Sequence, residues 1–296
     1  MKVFVTGATG YIGSAVAAAY RRAGHQVFGL TRSMDRAAAL ERQEIVPVLG
    51  SLQDPASWSA VAERAAVLVH AAVDYETDTM ALDRAAVEAL IALAQRAGQV
   101  RTLIYTSGVW VYGDTAMADE STALNPPPLV AARPAVERRV LTAERVNGVV
   151  IRPGVVYGGR GGIPGAWFAG AESGALQLVG DGGNRWAMVH VEDLADLYLR
   201  AGEQAVGGEV FNAADHSTSS VGELVAAVVA ATGYRDQIRQ LPLATARELM
   251  GEFAGGLALD QRIDASKAAR LLGWQPRHRG FAAEVDRYWR AWRASR

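Results

Sequence analysis

The sequence predicts an α/β protein: a doubly wound parallel sheet, followed by a smaller α/β lobe in the C-terminal half. Three observations carry this. A short apolar strand at the N-terminus runs through a glycine turn into a helix. Apolar, β-branched runs then alternate with helical patterns through the first half. After residue 157 the alternation loosens and glycine becomes frequent, as in Tyr157-Gly158-Gly159-Arg160-Gly161-Gly162-Ile163-Pro164-Gly165.

Lys2-Val3-Phe4-Val5-Thr6 has the pattern of a buried strand. Gly7-Ala8-Thr9-Gly10-Tyr11-Ile12-Gly13 follows, a GxxGxxG turn ahead of a helix over residues 14–23. Small residues at Gly7, Gly10 and Gly13 would let the backbone approach a pyrophosphate, whose charge would sit at the helix N-terminus. The blander reading is a glycine-rich turn that binds nothing, but the strand before and the helix after supply the context that gives the pattern weight.

The second strand, 26–31, ends in Thr31-Arg32-Ser33. No carboxylate stands there to hold an adenosine ribose. Arg32, assisted by Ser33, suits a 2′-phosphate instead, so the expected cofactor is NADP(H). The plain alternative is a solvated surface arginine.

A third strand is expected over 45–49. Val67-Leu68-Val69-His70 is a fourth, running into the small-residue turn Ala71-Ala72. His70 has no histidine or carboxylate at metal-ligand spacing, and no metal site is expected. Residues 83–97 read as an alanine-rich helix packed on both sides, stopped by Gly98. A fifth strand follows over 102–107. This βαβ order implies parallel pairing, right-handed crossovers and a ligand beyond the carboxyl ends of the strands, where Thr6, Thr31, Ala71 and Ser107 lie. The expected division is a dinucleotide-binding domain over 1–157, with segments returning near 186–215, and a partly interleaved substrate lobe over 158–296.

Composition narrows the function classes. The chain has 296 residues, 30 basic and 31 acidic, for a net charge of −1, so no basic footprint points to nucleic acid or an anionic membrane. There are no cysteines, which excludes disulfides and thiolate chemistry. No apolar run is long enough to span a bilayer, and Met1 leads directly into the first strand with no signal sequence. A cytoplasmic location is the expectation.

Thr6-Gly7-Ala8-Thr9-Gly10-Tyr11-Ile12-Gly13 resembles the opening of the extended short-chain dehydrogenase/reductase family, the NAD(P)-dependent epimerases, dehydratases and reductases. Other segments keep the family's order and spacing. Gly50-Ser51-Leu52-Gln53-Asp54 is similar to its GDLxD stretch, with Ser51 in place of the first acid. His70-Ala71-Ala72 is similar to HxAA, 152–158 to RPxxVYG, 185–195 to RxFxHVxDxA, and 264–276 to DxSKAxxxLGWxP. The resemblance implies a Rossmann domain. It further implies that Thr9, Tyr11 and Ile12 touch the cofactor within the turn, that Leu52 meets the adenine, and that His70, Ala71 and Ala72 line the ribose and pyrophosphate. By the same resemblance Pro153, Val155 and Val156 pass the nicotinamide. The family often dimerises through the helices at 83–97 and 134–146, so a homodimer is an open expectation.

The family's catalytic residues have no match. A Ser or Thr after the fifth strand falls on Gly108, one residue past Ser107. Counting back from Glu137 places the usual Tyr-x-x-x-Lys pair on Leu129 and Arg133. No Tyr-x-x-x-Lys occurs in the chain, whose only lysines are Lys2 and Lys267. Leucine cannot move a proton, while arginine can still hydrogen-bond ribose hydroxyls. Pro134 should start a helix, so Leu129 and Arg133 need not share its face. Candidates for the missing acid are Ser107, Tyr112 and Tyr75, each with packing as its blander explanation. Tyr157 and Asp74 are further possibilities.

Trp110, Trp167, Phe168 and Trp186 fall where the family's cleft is lined and point to an apolar or ring-shaped substrate. Arg185 matches an arginine that holds the diphosphate in sugar-nucleotide members. The expected activity is an NADPH-dependent reduction of a small molecule, an imine or activated alkene, without the usual tyrosine acid. A non-catalytic NADP-binding sensor or scaffold and a sugar-nucleotide epimerase or dehydratase are the alternatives.

Overall fold

The computed structural model describes residues 1–73, 78–278 and 280–296. The chain forms two compact units: 1–107, 132–152 and 194–211 make the first, and 108–131, 153–193 and 212–296 the second.

The first unit is built on parallel strands β1 (Lys2–Thr6), β2 (Gln26–Thr31), β3 (Val46–Leu49), β4 (Val67–His70) and β5 (Arg101–Thr106). The later strands Val146–Pro153 and Glu209–Ala213 extend the sheet beyond β5, giving seven strands with β1 between β2 and β4. Strand order therefore reverses at β1, and the crevice beyond Thr6 is the switch point where such sheets bind ligands.

β1 is the centre of this core because its apolar run is uninterrupted. Val3, Phe4 and Val5 are fully buried, and Phe4 stacks on Trp58 at 5.6 Å. Helix α1 (Tyr11–Arg22) is alanine-rich and turns Val16, Ala17 and Tyr20 inward. The Tyr20 hydroxyl donates to the Tyr198 carbonyl at 2.6 Å, which satisfies the one polar atom on that face. Helices α2 (Met34–Glu41), α3 (Ala56–Ala62) and α4 (Thr79–Arg96) complete the alternation.

Two boundaries differ from expectation for local reasons. α1 begins at Tyr11 because Gly10 takes the N-cap position. Gly13 therefore sits in the first helical turn, where a Cβ would lie 2.1 Å from the Gly7 carbonyl oxygen. α4 begins at Thr79, not 83, because the Asp78 side chain accepts from the Ala81 amide at 3.1 Å and caps it. Among the described residues no helix is long and apolar enough to cross a membrane.

The second unit has its own aromatic core, in which Tyr157, Trp167, Phe168, Trp186, Phe281 and Trp292 are all buried. Three short parallel pairs frame it: Val155–Tyr157 with Met188–His190, Gln177–Val179 with Arg239–Leu241, and Thr115–Ala118 with Gln261–Ile263. Buried Gln261 donates through Nε2 to the carbonyls of Val109 and Gly113, and Trp274 donates through Nε1 to the Asp193 carbonyl at 2.8 Å. These side chains give the loops of this unit the backbone partners that a continuous sheet would otherwise supply.

Candidate functional site

The turn after β1 is shaped by what its glycines exclude. Gly7 has φ +71°, and a Cβ there would lie 2.6 Å from the Ala71 oxygen. With Gly13 closed by Gly7, two of the three glycines are needed for the fold itself. Gly10 differs: its amide donates to the Gly7 oxygen at 2.8 Å, and an added Cβ would meet only that oxygen, at 3.1 Å. Space remains open beside Gly10 at the start of α1, whose first turn carries no acidic residue. Such a cradle fits a pyrophosphate, since the helix dipole and a first helical turn without an acidic residue both favour an anion. Thr9, Tyr11 and Ile12 lie within this turn and the first turn of α1.

At the end of β2, Thr31 is buried and Arg32 exposed. Ser33 is the N-cap of α2, accepting from the Arg36 amide at 3.5 Å. Its hydroxyl thus has a structural duty beside the expected cofactor role. Leu52 is half-buried against the core of the unit, next to a tight turn closed by the Asp54 amide on the Ser51 oxygen at 3.1 Å.

His70, isolated in the sequence, has company in the fold. Its Nδ1 lies 2.7 Å from Thr6 Oγ1 and its Nε2 3.1 Å from Asp83 Oδ1, while Tyr105 donates to Asp83 Oδ2 at 2.7 Å. Nε2–H donating to Asp83 leaves Nδ1 to pair with the Thr6 hydroxyl, so both ring nitrogens have partners. Burial pushes the Asp83 carboxyl up, but the hydrogen bond and electrostatic attraction of His70, the hydrogen bond from Tyr105 and the nearby Arg133 charge outweigh it and hold it below the usual carboxylate range. Burial and the Asp83 charge push the Tyr105 phenol well up. Sequence reading missed Asp83 and Tyr105 as partners because they come from α4 and β5. Ala71 and Ala72, half-buried, continue from His70 past Gly7.

Beyond β5, Thr106 donates from Oγ1 to the His70 carbonyl and accepts from the Tyr198 hydroxyl, both at 2.7 Å. Arg133 donates to the Thr106 carbonyl at 3.1 Å. Ser107 Oγ and Arg133 Nε are buried polar atoms with no hydrogen-bond partner among the described residues. Orphaned polar atoms in a native interior call for a partner such as a ligand or water. Two of them near the carboxyl end of β5, in the same unit as the glycine cradle, fit a dinucleotide whose hydroxyls and amide would supply that partner.

Arg133 opens the helix Arg133–Leu141, with Pro134 in its first turn, and Leu129 lies on a separate 3-10 turn, Pro128–Val130. These two residues therefore stand on different elements. Leu129 is 38% exposed.

The other candidates among the described residues lie in the second unit. Tyr112 is buried and its hydroxyl donates to Asn212 Oδ1 at 2.9 Å. Tyr157 is buried too, donating to Asp215 Oδ2 at 2.8 Å; burial and the Asp215 charge push its phenol far up. Tyr75 and Asp74 lie outside the described residues. Pro153 and Val155 are buried and Val156 half-buried around the Val155–Tyr157 strand. Trp110 packs against Phe253 at 5.7 Å and over Gly256, where a Cβ would lie 2.4 Å from its ring. Trp167 and Trp186 stack at 5.1 Å and 6°, and Phe168 is buried against Phe281, Trp289 and Trp292. The half-buried Arg185 stands 3.7 Å from Asp260.

His190, Glu192 and His278 bring potential ligand atoms within 4.8 Å of one another. Their hydrogen bonds account for them otherwise. His190 Nδ1 accepts from the Glu192 amide at 3.2 Å, and His278 Nδ1 lies 3.0 Å from Asp193 Oδ2. The two rings stack at 3.5 Å. Burial, with His278 adding to it, lowers the His190 pKa to about 4.

The sequence profile of the NAD dependent epimerase/dehydratase family matches residues 3–214. An uncharacterised protein of Schizosaccharomyces pombe is 26% identical over 94% of this chain and 96% of its own. A 3-diazoavenalumate denitrifying reductase of a Streptomyces species is 29% identical, covering 94% of this chain and 97% of its own. Among solved structures, the UDP-glucose 4-epimerase of Thermotoga maritima with UDP-glucose superposes with a TM-score of 0.85 at 21% identity, over 100% of this chain and 99% of that one.

Proposed function

The chain belongs to the NAD dependent epimerase/dehydratase family, and from that premise we propose that it is an NADP(H)-dependent oxidoreductase. Its substrate is a small organic molecule, reduced without a tyrosine acid. The observation that carries this reading is the glycine cradle at the switch point of the sheet, open beside Gly10. The exposed Arg32 at the end of β2 supports the 2′-phosphate form, since the strand ends in Thr31-Arg32-Ser33 and not in an acidic residue.

In this reading the α1 N-terminus and the turn amides hold the pyrophosphate, and Arg32 pairs with the 2′-phosphate. Ser107 Oγ and Arg133 Nε take up the hydrogen bonds that the protein leaves open to them. The Thr6–His70–Asp83–Tyr105 chain holds the β1 and β4 ends rigid beneath the cradle. Bound nicotinamide supplies hydride. The chain supplies no phenol at the usual position, since Leu129 stands there. Imines and activated alkenes suit such a site, because an imine that enters protonated, as the iminium, brings its own proton and the alkene's charge spreads onto a carbonyl that water can reach. The reductase relative named above, whose name specifies loss of nitrogen from a diazo compound, supports reduction of an unusual group in this family.

The test is a screen for substrate-dependent loss of NADPH absorbance across imines, activated alkenes and ketones, with UDP-sugars followed by product analysis, because epimerisation or dehydration returns the hydride and leaves the absorbance unchanged. Turnover of imines or alkenes supports the proposal, while turnover of UDP-sugars alone defeats it. A second reading, an NADP-binding sensor without turnover, is favoured by the engagement of the Tyr112 and Tyr157 hydroxyls with Asn212 and Asp215. Tight NADPH binding with no turnover across the panel would establish that reading instead.

A further inference from the structure

The second unit contains a cavity of about 170 Å³ between the helix Ile163–Ser173, the strand Gln177–Val179 and the segment around Phe253. The stacked pair Trp167–Trp186 and the buried Val221 line it. Ala166 and Phe253 also line it and are exposed, so it reaches the surface of the unit.

Its chemistry is one-sided. Among the described residues no charged side chain lines it, and Gln177 is the one side chain on its wall with an amide. The Trp186 indole N–H is already donated to the Leu257 carbonyl at 3.0 Å. A phosphate placed here would lose its water without gaining a charged side-chain partner. An apolar cavity of about 150 Å³ holds a benzene-sized guest. Indole walls also suit a flat ring, which packs on them offset or edge-on.

We propose that this cavity is an aryl subsite: it takes one uncharged aromatic ring against Trp167 and Trp186, with a single polar substituent held by Gln177. That the ring belongs to the reductase's substrate rests on the function proposed above, but the binding itself does not need the cofactor. A sugar nucleotide also carries an uncharged flat base beside its charged diphosphate, so UMP is the competitor that separates that reading from this one.

The experiment uses the full chain without cofactor and fluorobenzene as the probe, followed by fluorine NMR. Saturable broadening of the probe signal is expected. Ala166→Phe, at an exposed helical position, should fill the mouth and abolish it while leaving the melting temperature in place. Ala175→Phe, at another exposed lining position, is the second blocking variant should the first fail to fold. In the parent, 4-fluorophenol should bind more tightly than fluorobenzene, and Gln177→Leu should remove that advantage. No saturable binding to the parent, binding that survives both blocking variants, or displacement of the probe by UMP would overturn the proposal. NADPH binding, measured on the same samples, separates the two readings. Loss of probe binding with NADPH binding intact removes only the aryl subsite. Absence of NADPH binding with probe binding intact removes only the cofactor assignment.

Discussion

Arg152 and Glu137 form a two-pronged ion pair inside the first unit, Nε to Oε1 at 3.0 Å, with both side chains almost fully buried. The pair ties the helix Arg133–Leu141 to the strand Val146–Pro153, and so fixes the helix whose first residue is Arg133. Removing one partner of a buried pair leaves an uncompensated charge and costs about 3–5 kcal/mol. Glu137→Ala should lower the unfolding free energy from urea melts by that order, and a loss below about 1 kcal/mol would show that water or another group takes over the guanidinium.

Cofactor choice should turn on Arg32. A charge-assisted pair with the 2′-phosphate corresponds to about one to two decades in affinity. Fluorescence titration should show NADPH binding tighter than NADH by that ratio, with Arg32→Asp erasing it. Equal affinities in the parent would remove the NADP assignment and leave a nicotinamide cofactor of either kind.

The glycines of the turn should separate by role. Gly13→Ala pushes a Cβ to 2.1 Å from a backbone oxygen and should destabilise the fold itself. At Gly10 a Cβ meets only the Gly7 oxygen among the described residues, at 3.1 Å, so the Gly10→Val protein should fold and lose nucleotide affinity. Circular dichroism melts and NADPH titration distinguish the outcomes. A folded Gly10→Val that binds normally would put the cofactor elsewhere.

That difference between Gly10 and Gly13 marks how far the sequence can be read. The strand–turn–helix order was legible because β1 is an unbroken apolar run and the glycines keep their spacing. Which glycine serves the fold and which leaves room for a ligand depends on the approach of Ala71 and Gly7, set by β4 and α1 together. Likewise His70 reads as solitary, since Asp83 and Tyr105 reach it only once α4 and β5 are packed. The aromatic content of the second unit was legible as a group, but Phe168 lies in the core while Trp167 and Trp186 also line the cavity. No period in the sequence separates the two situations, because all three are buried.

Acid should weaken the fold through His190. Its pKa is about 4 in the folded protein, lowered by burial and by His278, against about 6.5 when unfolded. Between these values the unfolded chain binds more protons, so stability falls as pH drops from about 6.5 towards 4. The slope from this one group reaches at most about 1.4 kcal/mol per pH unit. Gly158 is part of the cause: a Cβ there would lie 2.2 Å from His190 Nε2, so the ring is closely covered. Urea melts at pH 7, 6 and 5 should show this loss, and His190→Gln should flatten it. Parallel slopes for parent and variant would assign the acid sensitivity to other groups.

The last prediction concerns the proton. Leu129 stands on a 3-10 turn and Arg133 opens a separate helix, so in the proposed reading, where they take the places of the family's tyrosine and lysine, they share no helical face. Reduction of a ketone would leave an alkoxide without a donor, and losing general acid help costs about 10²–10⁴ in rate. Simple ketones and aldehydes should therefore be poor substrates, and secondary alcohols poorer still. Leu129→Phe removes no proton transfer, so the best native activity should stay within about one decade. Tyr112 is buried and bonded to Asn212, so Tyr112→Phe should act mainly on stability, with kcat/KM changed by less than a decade. Tyr75→Phe is the informative variant: a drop of about two decades or more in kcat would identify it as the donor. An unchanged rate would leave protonation to water or to the substrate. Each is measured as kcat/KM with NADPH on the best substrate from the screen, between pH 6 and 9. Fast, pH-independent reduction of simple ketones by the parent, retained in Tyr75→Phe, would require an efficient acid that Gly108, Leu129 and Arg133 do not provide, and would sink the argument.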